Sequence, residues 1–312
     1  MISEPDPAGP RPHPIELRLS YLAPFDGSGL VAFLGLRAAP GVEEVTGDGV
    51  YRRSLSLPGG VGIVELAPAD DHVQARFWLE DADDLEVAAD RSRALLDLDA
   101  DPTPVLDTLA SDPLIGQLVR ATPGRRVPGH VDGDELAIRA VLGQQVSLAG
   151  ANTLAARLVV SAGQPLTQPV GTLTHRFPSA AQIAAVDPES LAMPNSRRVA
   201  VLTLARALAD GTVQLHPGAD PARTRRQLLN LPGIGRWTAD YVAMRALGDP
   251  DVFLSTDLGV RHALEALGVD AKPRAADKLA ERWRPFRSYA VVHLWAHLAT
   301  TSRSTARTPT PG

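Results

Sequence analysis

The chain has 312 residues, of which 44% are hydrophobic and 21% charged, enough apolar material for two or three compact units and too much for a disordered chain. It has no cysteine, which removes disulfides, thiolate-zinc sites, cysteine-ligated iron–sulfur clusters and cysteine nucleophiles together. The net charge of −5 hides a division: residues 1–110 carry 8 positive and 20 negative side chains, whereas residues 111–312 carry 23 and 16, so only the second part has the basic excess that phosphate contacts call for.

The opening MISEPDPAGPRPHP is proline-rich and is expected to be a disordered tail over residues 1–14. It lacks the cationic start and apolar core of a signal peptide, and no apolar run is long enough to span a bilayer, so the expected address is the cytoplasm with no membrane partner. Residues 15–103 mix alternating stretches, 15-IELRLSYL-22, 50-VYRRSLSL-57, 61-VGIVEL-66 and 73-VQARFWL-79, with a helical segment at 28-SGLVAFLGLRA-38. That pattern predicts a small α+β domain on an antiparallel sheet. Residues 104–302 change to helical spacing, as in 133-GDELAIRAVLGQQVSLAGANTLAARLVVSAG-163, 198-RVAVLTLARALAD-210 and 221-PARTRRQLLNL-231. Pro- and Gly-rich linkers are expected there at 122–130 and 163–171, and the polar stretch 303–312 reads as a second disordered tail.

Within the helical part, 231-LPGIGRWTADY-241 places Pro232, Gly233 and Gly235 directly before a helix that begins near Arg236. A glycine costs roughly 1 kcal/mol inside a helix, so the pair belongs to the turn between two helices over about 221–247. Such a turn leaves the first N–H groups of the second helix bare, and bare amides at a helix N-terminus bind phosphate. Gly233 and Gly235 would admit a DNA backbone there, and Arg236 and Thr238 would add a charge and a hydroxyl, positioning DNA without reading sequence. Taken alone, the glycines equally describe an ordinary Gly-capped turn. Asp257, 22 residues beyond Gly235 in 252-VFLSTDLGVRHAL-264, taken alone, equally describes a helix N-cap.

Hairpin and aspartate together resemble the helix-hairpin-helix DNA glycosylase superfamily, and 133-GDELAIRAVLGQQVS-147, 231-LPGIGRWTADYVAMRALGDPDVFLSTD-257 and 281-ERWRPFRSYAVVHLW-295 resemble, in order, segments of its bacterial DNA-3-methyladenine glycosylase II (alkylbase) family. The resemblance covers roughly residues 15–300. It implies an antiparallel-sheet domain ahead of a two-part all-helical glycosylase domain with the active cleft between the helical parts. It also implies base excision repair of double-stranded DNA carrying alkylated purines such as 3-methyladenine, in a bacterial, nucleoid-associated protein that requires no cofactor; a monomer is the default expectation. Asp257 is the implied catalytic carboxylate, stabilising an oxocarbenium-like sugar or activating water. Trp237, Tyr241 and Trp295 are the implied base pocket, their electron-rich faces suited to a cationic base flipped from the duplex. Leu258 stands in that pocket where the familiar enzyme has an aromatic. Gln144 and Gln145 match the segment that fills the gap left by the flipped base, Gln145 standing where the best-known enzymes carry an apolar wedge. The family also holds a monovalent cation in the hairpin, here through the backbone carbonyls of Leu229, Leu231 and Ile234.

Strand-cutting relatives carry a lysine nucleophile in the hairpin, where this chain has Trp237, and its two lysines, Lys272 and Lys278, lie in a segment that reads as solvated helix. A monofunctional enzyme without lyase activity is therefore expected. Arg197 and Arg198 resemble a DNA-facing loop, Arg223, Arg225 and Arg226 read as a solvated face, and Trp283 and Phe286 read as core. Two alternatives stay open: a non-catalytic DNA-binding module, which would need the glycines but not Asp257, and a glycosylase for another lesion.

Overall fold

The computed structural model describes residues 13–306. In chain order the elements are β1 (Ile15–Ser20), α1 (Gly27–Leu36), β2 (Glu43–Val45), β3 (Tyr51–Leu57), β4 (Gly60–Pro68), β5 (His72–Leu79), α2 (Leu85–Leu96), α3 (Pro102–Leu109), α4 (Gly116–Ala121), α5 (Gly133–Leu142), α6 (Leu148–Ala162), β6 (Gln164–Val170), β7 (Leu173–Arg176), α7 (Ala180–Ala184), α8 (Asn195–Ala209), α9 (Pro221–Leu229), α10 (Arg236–Ala246), α11 (Leu258–Ala266), α12 (Pro273–Ala280) and α13 (Arg287–Ala306). Strands β1 to β5 form one antiparallel sheet in the order β1-β5-β4-β3-β2, with Leu17 opposite Ala75 and Val64 opposite Phe77. Alternation along β3 and β5 sends Tyr51, Leu55, Val73 and Phe77 to one face, where they bury against Leu30 and Leu34 of α1 and Leu95 and Leu96 of α2.

The helical part has two cores. One gathers α5, α6, α8 and part of α10 around Ile138, Leu158, Val201 and Leu204. The other gathers the remainder of α10 with α11, α12 and α13 around Phe253, Leu264 and Trp283. Helix α10 belongs to both, Val242 facing the first and Met244 the second, so it is buried on more than one side and runs along their junction. Trp283 is fully buried and Phe286 packs at the edge of the same core, as expected of both.

A buried ion network fastens the sheet to the helices. Arg53 of β3 pairs with Glu43 of β2 at 2.9 Å and Glu135 of α5 at 2.7 Å, and Arg139 of α5 pairs with the same two carboxylates at 2.9 and 2.8 Å. Burial alone would raise the Glu43 carboxyl, but Arg139 and Arg53 outweigh it and hold it below the usual range. Glu43, Glu135 and His130 bring ligand-type atoms within 4.8 Å of one another. Arg53 and Arg139 already occupy those carboxylates, so the cluster reads as an ion network rather than a metal cage; burial together with Arg53 and Arg139 keeps His130 well below its ordinary value.

Three expectations are corrected here. The stretch 163–171 is not a plain linker, because Gln164–Val170 pairs with Leu173–Arg176 in a two-stranded hairpin whose Leu166 and Leu173 bury against Ile63. The helical run expected over 133–163 is broken at 143–147, where Ser147 caps a new helix by accepting from Gly150 N. Residues 303–306, expected to begin a tail, instead continue α13 through Ala306, a helix once nucleated being cheap to extend. Residues 307–312, and residues 1–12 of the expected N-terminal tail, lie outside the described residues. No helix among the described residues is long and apolar enough to cross a membrane.

Candidate active site and DNA-facing hairpin

Asp220 caps α9 by accepting from Ala222 N and Arg223 N, and the chain then turns through 230–235 into α10. Ile234 N–H donates to Leu231 O at 3.1 Å, and the Ile234 side chain is buried in the first helical core, which fixes the turn. Gly233 sits at φ +81°, and a Cβ there would meet Ala200 Cβ at 2.6 Å, so glycine is required on both counts. Gly235 is the N-cap of α10 and has no side chain to offer the first amides of that helix. A Cβ on Gly235 would meet nothing within 4 Å, so it keeps the approach to those amides open.

Asp257 is the N-cap of α11, its Oδ1 accepting from Val260 N at 2.9 Å. The same Oδ1 accepts from Trp295 Nε1 at 2.9 Å, and Oδ2 accepts from Trp237 Nε1 at 2.8 Å. Three elements thus converge on one half-buried carboxylate, α11 through its backbone, α10 through Trp237 and α13 through Trp295. Trp237 stacks on Tyr241 at 5.1 Å and 20°, as i, i+4 spacing on one helix face allows, and Tyr241 lies 6.3 Å from Trp295. Gly259 permits this closeness, since a Cβ there would press on both Asp257 Oδ1 and Trp295 at 3.1 Å.

The carboxylate and the three aromatics line a cavity of about 490 Å³ whose inner end reaches Glu43, His130 and Arg139. Burial would push the Tyr241 phenol up, but Arg245 and Arg37 outweigh it and hold it below its ordinary value. Arg245 is tied down by bonds to Tyr241 Oη at 2.6 Å, Pro128 O at 2.7 Å and Gly129 O at 2.8 Å. A second, more open cleft of about 970 Å³ adjoins the first and is lined by Gln144, Gln145, Gly233, Gly235, Trp237, Asp257 and Leu258. Gln145 stands exposed on the turn between α5 and α6, at φ +53°.

Four of the residues singled out in the sequence sit otherwise than expected. Thr238 is buried and its hydroxyl accepts from Gln144 Nε2 at 2.9 Å, because α10 turns that face toward the α5–α6 turn rather than outward. Gln144 also donates to Gly233 O at 3.0 Å, which makes it a strut between that turn and the hairpin instead of a free plug. Arg236 is engaged by Asp277 through two 3.0 Å bonds and by Asp240 at 3.2 Å, so its guanidinium is held on the protein. Leu258 is 63% exposed on the outer cleft and does not line the inner cavity, since as the first residue of α11 it points away from the carboxylate's partners. Among the other arginines, Arg197 donates to Gln144 O at 2.6 Å, Arg198 pairs with Glu189 at 2.6 Å, and Arg225, expected on a solvated face, pairs with the buried Asp240.

Two residues escaped the sequence reading, Arg37, which lines the inner cavity, and Phe33, which packs on its Trp295 wall. Phe33 and Arg37 of the α1 segment reach the site from the acidic N-terminal part: Phe33 stacks on Trp295 at 5.8 Å and 24°, and the Arg37 guanidinium lies 3.6 Å above the Phe33 ring. Helical periodicity at 28–38 was visible, but no local signal says that this helix end meets a residue more than 250 positions later.

A family model described as the AlkA N-terminal domain matches residues 16–132. A protein of Mycobacterium tuberculosis named probable bifunctional transcriptional activator/DNA repair enzyme AlkA is 49% identical over 284 residues, covering 91% of this chain; the chain spans only 57% of that relative's length. DNA-3-methyladenine glycosylase 2 of Escherichia coli is 36% identical over 284 residues, covering 89% of this chain and 95% of that protein. Among solved structures, the 3-methyladenine DNA glycosylase from Archaeoglobus fulgidus superposes with a TM-score of 0.77 at 22% identity, covering 92% of this chain and 99% of that one, a likeness of fold.

Proposed function

The chain belongs to the AlkA family of DNA-3-methyladenine glycosylases, and on that premise we propose that it hydrolyses the N-glycosidic bond of alkylated purines in double-stranded DNA, leaving an abasic site for base excision repair. The observation that carries this reading is the Asp257 carboxylate held by the Trp237 and Trp295 indoles at the wall of an aromatic cavity. An alkylated purine already bears positive charge and leaves as a neutral base, so no strong general acid is required. The carboxylate supplies negative charge where the sugar becomes oxocarbenium-like, and water adds to the same carbon. Trp237 and Tyr241 present ring faces to a flipped cationic base. Gln145, exposed across the outer cleft from Leu258, is suited to filling the vacated stack, while Gln144 braces it.

The bare amides of α10 would hold a backbone phosphate, with Gly233 and Gly235 admitting it. Arg236 would join that contact only by releasing Asp277. A monovalent cation on the carbonyls of Leu229, Leu231 and Ile234 fits this turn, because Leu231 O uses one lone pair on Ile234 N and keeps the other; it would add positive charge beside the phosphate. No lysine lines either cavity, which supports hydrolysis without a Schiff base and hence without strand cleavage.

The test is single-turnover base release from methylated duplex DNA by wild type and Asp257→Asn, with strand breaks scored before and after alkali. Asparagine keeps the helix cap, so the variant folds. Base release that vanishes in the variant, with breaks only after alkali, is the expected result. Wild type that binds this DNA and releases no base sinks the proposal, and breaks before alkali sink its monofunctional part.

A further inference from the structure

A cavity of about 260 Å³ lies between α1 and α13 and shares Arg37 and Trp295 with the wall of the inner cavity. One face of each helix lines it: Leu30, Phe33 and Leu36 recur at helical spacing along α1, and Val292, Ala296 and Ala299 along α13. The two faces leave a groove because the side chains at Ala32, Ala296 and Ala299 are too short to close it. Leu36 and Leu148, on its lining, are 52% and 40% exposed, so the opening is apolar as well as the interior.

The end of the groove at the start of α1 carries the charge. Arg125 pairs there with Asp26 at 3.4 Å, and Asp26 also caps α1 by accepting from Gly29 N at 3.0 Å. Arg126 borders the same end and is only 2% exposed. It donates to Leu22 O, its Nε has no hydrogen-bond partner, and among the described residues no carboxylate lies within ion-pair distance of it. Asp97 attracts it from further off, but that carboxylate accepts from Tyr289 Oη at 2.8 Å and Val127 N at 3.2 Å. Burial lowers the Arg126 pKa by more than Asp97 raises it, in line with a buried cation short of an anion. Arg37, the other cation on the lining, lies flat on Phe33 at the far end of α1, about 16 Å along the helix.

An apolar groove closed at one end by an unanswered guanidinium is complementary to an elongated molecule with an anionic head. One unanswered charge matches one carboxylate, which a guanidinium fork binds through charge-assisted bonds, whereas a phosphate dianion would set its second charge against Asp26. We infer that this groove is a binding site for a small organic carboxylate with an apolar body, the head on Arg126 and the body between Leu30 and Ala296. An occupant would also lie against Trp295, whose indole donates to Asp257, so it would sit one residue away from the carboxylate of the inner cavity.

The experiment titrates 3-phenylpropionate into the full chain by calorimetry, beside 3-phenylpropionamide, which lacks the charge, and propionate, which lacks the body. Wild type is expected to bind 3-phenylpropionate at least about tenfold more tightly than either. Arg126→Met should weaken that binding about tenfold or more. Ala296→Leu, which fills the groove and leaves both arginines in place, should abolish it while melting like wild type, and it carries the test should Arg126→Met fail to fold. The indole N–H resonance of Trp295, assigned with Trp295→Phe, should shift on addition of 3-phenylpropionate. No binding by wild type, equal binding of the amide, or undiminished binding in a folded Arg126→Met or in Ala296→Leu overturns the inference. Wild type that releases no base from methylated DNA leaves it standing, since the groove argument draws nothing from the glycosylase reading.

Discussion

Replacing Trp237 by phenylalanine keeps the ring that stacks 5.1 Å from Tyr241 and removes the N–H that donates to Asp257 Oδ2 at 2.8 Å. The two carboxylate oxygens are not held alike. Oδ1 is shared by Val260 N and Trp295, whereas Trp237 is the donor on Oδ2, so the variant leaves one side of the carboxylate free to swing. A hydrogen bond to a charged group contributes about 1.5–3 kcal/mol, and each ~1.4 kcal/mol lost from the transition state is a factor of ten in rate. Asp257 also lines the open cleft, where water can replace part of the bond, which places the expected loss in single-turnover rate at the lower end, about tenfold to thirtyfold. Retained stacking predicts little change in affinity for lesion-bearing DNA. The decisive assay repeats the substitution in an Asp257→Asn background, where a residue acting through the carboxylate has almost nothing left to lose, about twofold or less. The same fall in both backgrounds would refute the reasoning and make Trp237 a contact to the base alone.

Arg53→Met leaves Glu43 and Glu135 each short of a buried partner, and should cost about 3–5 kcal/mol in urea denaturation with an unchanged slope; a loss under about 1 kcal/mol would mean that Arg139 alone satisfies both carboxylates. Gly233→Ala should lower both the melting temperature and affinity for undamaged DNA, because of its φ and the contact with Ala200, whereas Gly235→Ala should weaken DNA binding at unchanged stability. Equal DNA affinity in wild type and Gly235→Ala would count against the phosphate contact at the amides of α10. Burial lowers the His293 imidazole from 6.5 to about 3, with Arg125 adding to the shift, and its Nδ1 lacks a hydrogen-bond partner. A depressed pKa means stability fully present above pH 6.5 and lost as the pH falls toward 3, so His293→Phe should gain on wild type steadily in urea titrations from pH 7 down to pH 4. A constant difference across that range would show that His293 does not charge on unfolding.

What the sequence revealed, and what it did not, follows the range of the interactions. The sheet of the N-terminal part was legible because alternation in 50–57 and 73–79 is a local signal, and so were the turn at Gly233 and the cap at Asp257. Likeness to a family put Trp237, Trp295 and Asp257 in one expected site but did not foresee that both indoles donate to the carboxylate, since nothing within 292–295 says what its indole faces. Thr238 went astray because α10 is packed on both sides, which leaves no simple rule for which residue of its first turn meets the outside. Arg236 was misjudged because its partner Asp277 lies on another helix. The β6–β7 hairpin, with two prolines in 164–170, has the composition of a loop and becomes a strand pair only by burying Leu166 and Leu173 on the sheet.

Helix α10 begins at the bare amides of Gly235 and carries Trp237 and Tyr241 within its first turns. An α-helix advances about 1.5 Å and turns about 100° per residue, so the offset between any phosphate held at its tip and the aromatic wall is set by a rod with no joint in it. On the proposed reading that rod would act as a gauge: a duplex seated on the tip would present one nucleotide, at one fixed distance, to the cavity. Inspecting the neighbouring base then means lifting the whole grip and setting it down one step further along, so search speed would be governed by how lightly those few amides hold the backbone.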